Sequence, residues 1–501
     1  MLSMFKRGSG ILLHITSLPS KEGIGDLGEA AYSFADVLYQ SSQKYWQILP
    51  LNPGNPHNGE SPYFSSSAFA GNPLLINLKK LEESGLLNLN DVQTFDITDP
   101  ESVDFPAARF YKHFALEKAY RNWKISGSDY KFTTFCEEQA FWLNDYALFL
   151  TLAKKTGTSS WYSWPLLLRG HDASELAAVY NAEHEEIERI CFYQYLLFGQ
   201  WNGLKQYCND KGIQIIGDMP IYVSYESSDV WAHRDMFKIN NEGIPTGVSG
   251  VPPDYFSATG QLWNNPVYSW ENMRMADYQW WIKRMQMMFS LYDIVRIDHF
   301  RGLVQFWEVK AGESTAINGA WQDVPTREFL NTLKRQSATF PVIAEDLGTI
   351  TPDVRQVMEE YGFPGMKVLL FAFGEDNPLN PYLPHNYDRN CIVYTGTHDN
   401  NTSRGWLETE ASDEEKRRIH RYIGAQLSDE ETVVELIRIA QASIADIAII
   451  PLQDLLFLGA HARMNHPAKL MGNWKWRVTP AQFEKIPVEQ LREYARAYGR
   501  G

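Results

Sequence analysis

The sequence predicts an α/β fold, a (β/α)8 TIM barrel with large inserted, mostly helical subdomains, and three observations carry this. Eight short apolar runs, near residues 12, 48, 215, 295, 343, 369, 393 and 449, have the length and β-branched content of buried strands. Helical patterns separate them, as parallel strands require. Four of these runs end in acids: Asp218, Asp298, Glu345 with Asp346, and Asp399. Acids gathered at the C-terminal ends of parallel strands mark the face where a barrel places its chemistry.

In chain order, the first strand is Gly10-Ile-Leu-Leu-His-Ile15, followed by a helix with Leu27, Ala31, Phe34, Ala35 and Leu38 on one face. Trp46-Gln-Ile-Leu-Pro-Leu51 is the second strand. The loop 52–72 beyond it is dense in Pro, Gly, Asn and Ser, and holds Ser61-Pro-Tyr-Phe64. Residues 75–190 read as an inserted helical subdomain with aromatic patches at Phe141-Trp142 and Trp161-Tyr-Ser-Trp164. A helix with Tyr195, Phe198, Leu204 and Tyr207 returns the chain to a third strand around Ile213–Val223. Residues 240–268 read as a long loop insertion covering the cleft, with Tyr255, Phe256 and Trp263 as stacking faces. A helix through Tyr278, Trp281, Ile282, Met285, Met288 and Phe289 leads into the fourth strand. The last four strands are 342–344, 366–372, 391–394 and 447–451. Between the final two, Ser412-Asp-Glu-Glu415 and Ser428-Asp-Glu-Glu431 start helices with capping boxes. A terminal helix carries Leu491, Tyr494, Ala495 and Tyr498. With no repeat and no low-complexity linker, residues 1–501 read as one catalytic barrel.

Composition narrows the function. A net charge of −15 and a pI near 5.3 disfavour nucleic acid and anionic membranes as partners. The 14% aromatic content suits sugar recognition, since flat sugar faces pack on rings, although many rings must serve the core. Cys136, Cys191, Cys208 and Cys391 form no CxxC and no metal-ligand spacing, which fits free thiols in a reducing cytoplasm. The run Ile11-Leu-Leu13 is broken at His14, so no signal peptide is expected, and no apolar run is long enough to span a bilayer.

The centre of the chain is Leu291-Tyr-Asp-Ile-Val-Arg-Ile-Asp-His-Phe-Arg301. Alternate residues of a strand share a face, so Arg296 and Asp298 point the same way. A guanidinium beside a carboxylate favours its ionised form, which predicts a lowered pKa at Asp298 and suits a nucleophile. The bland alternative is a structural ion pair closing the strand. Further acids at comparable strand ends favour glycoside chemistry, in which one acid protonates the glycosidic oxygen and another attacks the sugar. Carboxylate clusters also bind divalent metals, with His398 and Asp399 as candidate ligands. No metal-binding or phosphate-cradling motif accompanies them, so no metal and no organic cofactor is expected. A glucan-binding protein without activity is the remaining alternative.

These residues also resemble a family. Leu12-Leu-His-Ile-Thr-Ser-Leu-Pro19, Tyr45-Trp-Gln-Ile-Leu-Pro-Leu51, Ser61-Pro-Tyr63, Ile216-Gly-Asp-Met-Pro-Ile-Tyr-Val223 and Gly250-Val-Pro-Pro-Asp-Tyr-Phe256 carry the resemblance in the first half. Arg296-Ile-Asp-His-Phe-Arg301, Ala344-Glu-Asp-Leu-Gly348, Thr397-His-Asp-Asn400 and Gly472-Asn-Trp-Lys-Trp-Arg477 carry it in the second. In this order the chain resembles the 4-α-glucanotransferases of the amylomaltase (disproportionating enzyme) type, within the α-amylase superfamily. The resemblance implies that Asp298 is the nucleophile, Glu345 the acid and then the base, and Asp399 the transition-state stabiliser. It implies that Arg296 keeps Asp298 charged and that Asp218, His299 and His398 bind hydroxyls. Ser61, Tyr63, Tyr255, Gln261, Trp263 and Asn465 are implied as further sugar contacts. The implied partners are α-1,4-glucan donors and glucose or malto-oligosaccharide acceptors. Hydrolysis with the same acids stays open on the residues alone; the resemblance implies transfer. The chain departs from the family pattern at Ile15, Glu60, Phe64, Asn264, Asn401 and Ala468, which puts loop shape in question and leaves the acids untouched.

Overall fold

The computed structural model describes residues 5–92, 99–127, 129–253, 257–467 and 469–501. Among the described residues, twelve strands run in chain order as β1 (Gly8–Leu12), β2 (Tyr45–Gln47), β3 (Gln214–Met219), β4 (Gly247–Val251), β5 (Gln261–Pro266), β6 (Ile294–Ile297), β7 (Gln305–Lys310), β8 (Gly319–Asp323), β9 (Val342–Ala344), β10 (Gly365–Val368), β11 (Cys391–Tyr394) and β12 (Ile447–Pro451). Every apolar run read as a strand contains one, because a parallel strand buried on both faces needs an unbroken apolar stretch, although the run 366–372 leaves the sheet after Val368 and turns as a 3-10 helix at Leu369–Phe371. The large sheet has the order β10-β11-β12-β1-β2-β3-β6-β9, and its neighbours are all parallel. Its two outer strands meet at a narrow seam. There the Ala344 N–H donates to the Pro364 carbonyl at 3.0 Å, and the Met366 N–H donates to Asp346 Oδ1 at 2.6 Å. Glycine is required at position 365, since a Cβ there would lie 2.4 Å from Asp346 Oδ2. The result is a nearly closed (β/α)8 barrel.

The outer helices follow the periodicity in the sequence. Helix Glu29–Gln40 buries Ala31, Phe34, Ala35 and Leu38, and both expected capping boxes form, at Ser412 with Glu415 and Ser428 with Glu431. Helix Gln279–Leu291 buries more than its predicted face, because Arg284 is also inside. Its guanidinium lies over the rings of Trp280 and Trp281 and donates to the carbonyls of Pro220 and Ile221. It thereby fixes the turn that leaves β3.

Between residues 75 and 190 the described chain is helical, with long helices at Phe105–Ser126 and Ala140–Thr156. The next helix, His184–Asp210, runs unbroken from this insertion into the barrel crossover before β3. Its rings bond the two together: Phe192 stacks on Trp123 at 4.7 Å, and Phe198 packs against Trp142 at 6.0 Å. Trp142, Trp161 and Trp164 are all buried, so these sequence patches are core.

One expectation fails. Residues 240–268 are not simply loop: β4 and β5 pair antiparallel there and join β7 and β8 in a second sheet of order β5-β4-β7-β8. Gly247 in β4 looks like a turn residue, but a Cβ there would lie 2.1 Å from Glu308 Oε1 on β7. The glycine serves close approach between strands. Among the described residues, no helix is long and apolar enough to cross a membrane.

Candidate active site

The barrel strands deliver their acids to one place. Asp298 directly follows β6, Glu345 directly follows β9, Asp218 lies within β3, and Asp399 stands on the loop after β11. They flank a cleft of about 840 Å³ lined in part by Asp298, His299, His398 and Asp399. Ser61, Tyr63, Gln261, Trp263 and Asn465 line the same cleft. Asp218, Arg296 and Glu345 are buried beside it. Tyr255 lies outside the described residues.

Arg296 is shared between two carboxylates. Its Nη1 donates to both oxygens of Asp218 at 2.6 Å, and its Nη2 pairs with Asp298 Oδ1 at 2.9 Å. Asp218 also accepts from the Tyr63 hydroxyl at 2.8 Å. The lowered pKa expected for Asp298 is therefore overturned: it is raised to about 6. Burial is the largest cause; Arg296 opposes it, and the charges of Asp218 and Asp399 push further upward. Asp298 still ionises below neutrality. Its side chain keeps 29% exposure, through the cleft side.

Glu345 moves further. Burial raises it to about 8, with Arg296 opposing and Asp298 adding to the rise. Its carboxyl group is held by backbone: Oε2 accepts from the His299 N–H and Oε1 from the Leu347 N–H, each at 2.7 Å. The first of these bonds needs an unusual backbone. His299 has φ 50, in the left-handed region, where non-glycine residues are uncommon. That conformation aims its N–H at Glu345 and its ring at Trp263, edge-on at 4.8 Å. Burial pushes the His299 imidazole down to about 4, so it is neutral at physiological pH.

Asp399 is held from the far side. Asn465 Nδ2 donates to its Oδ1 at 2.6 Å, and His398 Nε2 stands 3.4 Å from its Oδ2. The His398 ring stacks on Tyr63 at 5.5 Å, and its Nε2 is 2.9 Å from the Tyr63 hydroxyl. Tyr63 thus links the Asp218–Arg296 pair to the Asp399 loop. Gln261 Oε1 accepts from Trp263 Nε1 at 3.2 Å, and Ser61 Oγ accepts from the Tyr63 N–H at 3.3 Å.

Sequence reasoning missed several cleft residues. Trp474, Tyr222 and Asn264 sit within motifs already singled out, and Trp474 packs near both Tyr63 and His398. Tyr225 and Glu226 follow β3 with no local signal; Tyr225 stacks flat on Tyr162 of the insertion at 4.8 Å. Two departures from the family pattern have structural explanations. Asn264, in place of a glycine, has φ 62, a conformation Asn tolerates better than most residues. Glu60 pairs with Arg109 at 2.6 Å, tying the loop to helix Phe105–Ser126. Ala468 lies outside the described residues. Among the described residues, no three or more His, Cys, Asp or Glu are grouped to hold a metal ion.

Comparison with known proteins places the chain in a family. A family model described as 4-alpha-glucanotransferase matches residues 13–482. The 4-alpha-glucanotransferase of Clostridium butyricum is 44% identical over 491 residues, covering 97% of this chain and 100% of that protein. That of Thermus thermophilus is 43% identical over 501 residues, covering 98% of each. The solved amylomaltase of Streptococcus agalactiae in complex with acarbose superimposes with a TM-score of 0.94 at 38% identity, over 99% of this chain and 100% of that one. The amylomaltase of Corynebacterium glutamicum, at 18% identity, shares the fold with a TM-score of 0.76, covering 99% of this chain and 75% of that one. A barrel whose strand ends carry this set of acids, matched nearly end to end by these relatives, belongs to the 4-alpha-glucanotransferase family.

Proposed function

We propose that this 4-alpha-glucanotransferase moves α-1,4-glucan segments from a malto-oligosaccharide or larger glucan donor to the 4-hydroxyl of glucose or another glucan, by retaining double displacement. The observation that carries the mechanism is a pair of neighbouring carboxyl groups, Asp298 near 6 and Glu345 near 8, driven apart by their surroundings. At neutral pH Asp298 is the anion and Glu345 the acid. Asp298 attacks the anomeric carbon while Glu345 gives its proton to the departing glycosidic oxygen, leaving a glucosyl ester and a free 4-hydroxyl on the leaving glucan. The acceptor's 4-hydroxyl then gives its proton back to Glu345 as its oxygen displaces Asp298. Asp399, with His398 and His299, holds hydroxyls of the distorted sugar. Ser61, Tyr63, Tyr255, Gln261, Trp263 and Asn465 contact the chain beyond it.

The reaction centre belongs to one barrel, with the 75–190 insertion as a helical subdomain and the 240–268 segment over the cleft. That cover excludes water and positions an acceptor, favouring transfer over hydrolysis. Four free cysteines support a cytoplasmic site of action. Incubation with maltotriose tests the reading. Glucose with a ladder of longer glucans means transfer; glucose and maltose alone mean hydrolysis, and no change means a binding protein.

The carboxyl pair predicts a bell-shaped pH dependence of kcat/KM for maltotriose. The acidic limb should report the coupled pair near 6 and the alkaline limb near 8. A profile flat through both limbs would remove these groups from the rate-determining chemistry. Trp263→Ala, which removes a stacking face from the cleft wall, should lower acceptor use more than glucosyl-enzyme formation. The ratio of hydrolysis to transfer should then rise, and an unchanged ratio would separate Trp263 from the acceptor.

A further inference from the structure

The loop from Thr395 to Ser403 presents both His398 and Asp399 to the cleft. Its tip is held from outside, where Asn465 donates to the Asp399 side chain and Arg463 Nη2 donates to the Asp399 carbonyl at 2.8 Å. Inside the loop, Asn400 Oδ1 accepts from the Thr397 N–H and hydroxyl at 2.9 Å each. Neither set of contacts anchors the loop to the barrel. At one end the Leu370 N–H donates to the Thr395 carbonyl at 3.3 Å, and one side chain ties down both ends. Asp454, just beyond β12, accepts from the Thr395 hydroxyl at 2.6 Å, the Ser403 hydroxyl at 2.7 Å and the Ser403 N–H at 2.7 Å. Asp454 is 1% exposed, and Thr395 and Ser403 are each 0% exposed.

We propose that Asp454 is a positioning residue for the reaction: it clamps the two ends of the 395–403 loop to the neighbouring strand and so sets where Asp399 stands. This rests on the assignment of Asp399 to the transition state. The chemistry supports a role beyond packing. A buried carboxylate is costly unless it is fully hydrogen-bonded, and every donor here comes from the ends of one functional loop. Burial raises the pKa of Asp454 against the pull of those donors. An aliphatic contact could close the same space, but it could not fix two loop ends in direction. A displacement of about 1 Å at a reacting group can cost about 10²-fold in rate.

The test is a double-mutant cycle on maltotriose transfer. Asp454→Asn keeps the size of the side chain, removes its negative charge, and turns the oxygen shared by the Thr395 and Ser403 hydroxyls into a nitrogen from which both must accept instead of donating to it. It is expected to lower kcat by about 10²-fold, with KM changed much less. In an Asp399→Asn background the same substitution should change kcat by less than about twofold, because it acts through Asp399. Thr395→Val removes one hydroxyl at nearly constant volume and should show the same dependence on Asp399 at about tenfold. It serves where Asp454→Asn fails to fold. An unchanged kcat in both variants, or an equal loss with and without Asp399, overturns the inference. Full activity of Asp399→Asn alone would instead overturn the role given to Asp399.

Discussion

The Glu345→Gln enzyme is expected to lose transfer from maltotriose by about 10²–10⁴-fold, the usual worth of a general acid, while gaining stability at alkaline pH. A glucoside whose leaving group needs no proton should still glucosylate Asp298. Deglucosylation lacks its base, so a trapped adduct should appear by mass spectrometry on the peptide carrying Asp298. Its absence would reject the division of labour between the two carboxyl groups. The geometry should agree: in a substrate complex the two carboxyls should approach about 5–5.5 Å, as in retaining enzymes, and not the roughly 6.5–9.5 Å that leaves room for a water. The stability effect follows from the sign of the shift. Glu345 is raised from 4.5 to about 8 in the folded protein. Between these values the unfolded chain has released a proton that the folded chain retains, so stability falls as pH rises through this window. Glutamine removes that dependence. Thermal melting at pH 5 and pH 8 should show the variant's advantage only at the higher pH, and an equal advantage at both would place the effect elsewhere.

Replacing Arg296 by methionine should cost more in stability than any other single change at the site. Arg296 is 3% exposed and is the shared partner of Asp218 and Asp298. Its loss leaves two carboxylates facing each other with no cation, and breaking a buried pair in this way costs about 3–5 kcal/mol. Asp298 already stands near 6 with Arg296 present. A further rise of about one unit, or 1.36 kcal/mol, would leave it half-protonated at neutral pH. The acidic limb of the rate profile should therefore move upward. Adding Asp218→Asn removes one of the stranded charges and should restore part of the stability. Urea denaturation and the pH profile check both statements; an unmoved limb would show that Arg296 does not act on Asp298.

How much of this was legible in the sequence depended on the range of the interaction concerned. The barrel strands could be read because burial on both faces demands a continuous apolar run, a property of neighbouring residues. The acids could be read because a carboxylate directly after such a run, as at Asp298 and Glu345, breaks the local pattern. Helix starts such as Ser412 and Ser428 were equally local. The second sheet could not be read. Its β4 and β5 are rich in Gly, Asn and Pro, and Gly247 answers to the Glu308 side chain on β7, far along the chain. The pKa of Asp298 was hidden for the same reason: the sequence places Arg296 beside it, while Asp218, which takes most of the guanidinium, arrives from β3. Nor does any local pattern announce that His299 turns left-handed to aim its N–H at Glu345. The sequence alone thus determined which strands form the barrel and which acids end them. Only the tertiary structure decided how those acids share charge, because Coulomb and desolvation energies depend on distance and burial in space and not on separation along the chain.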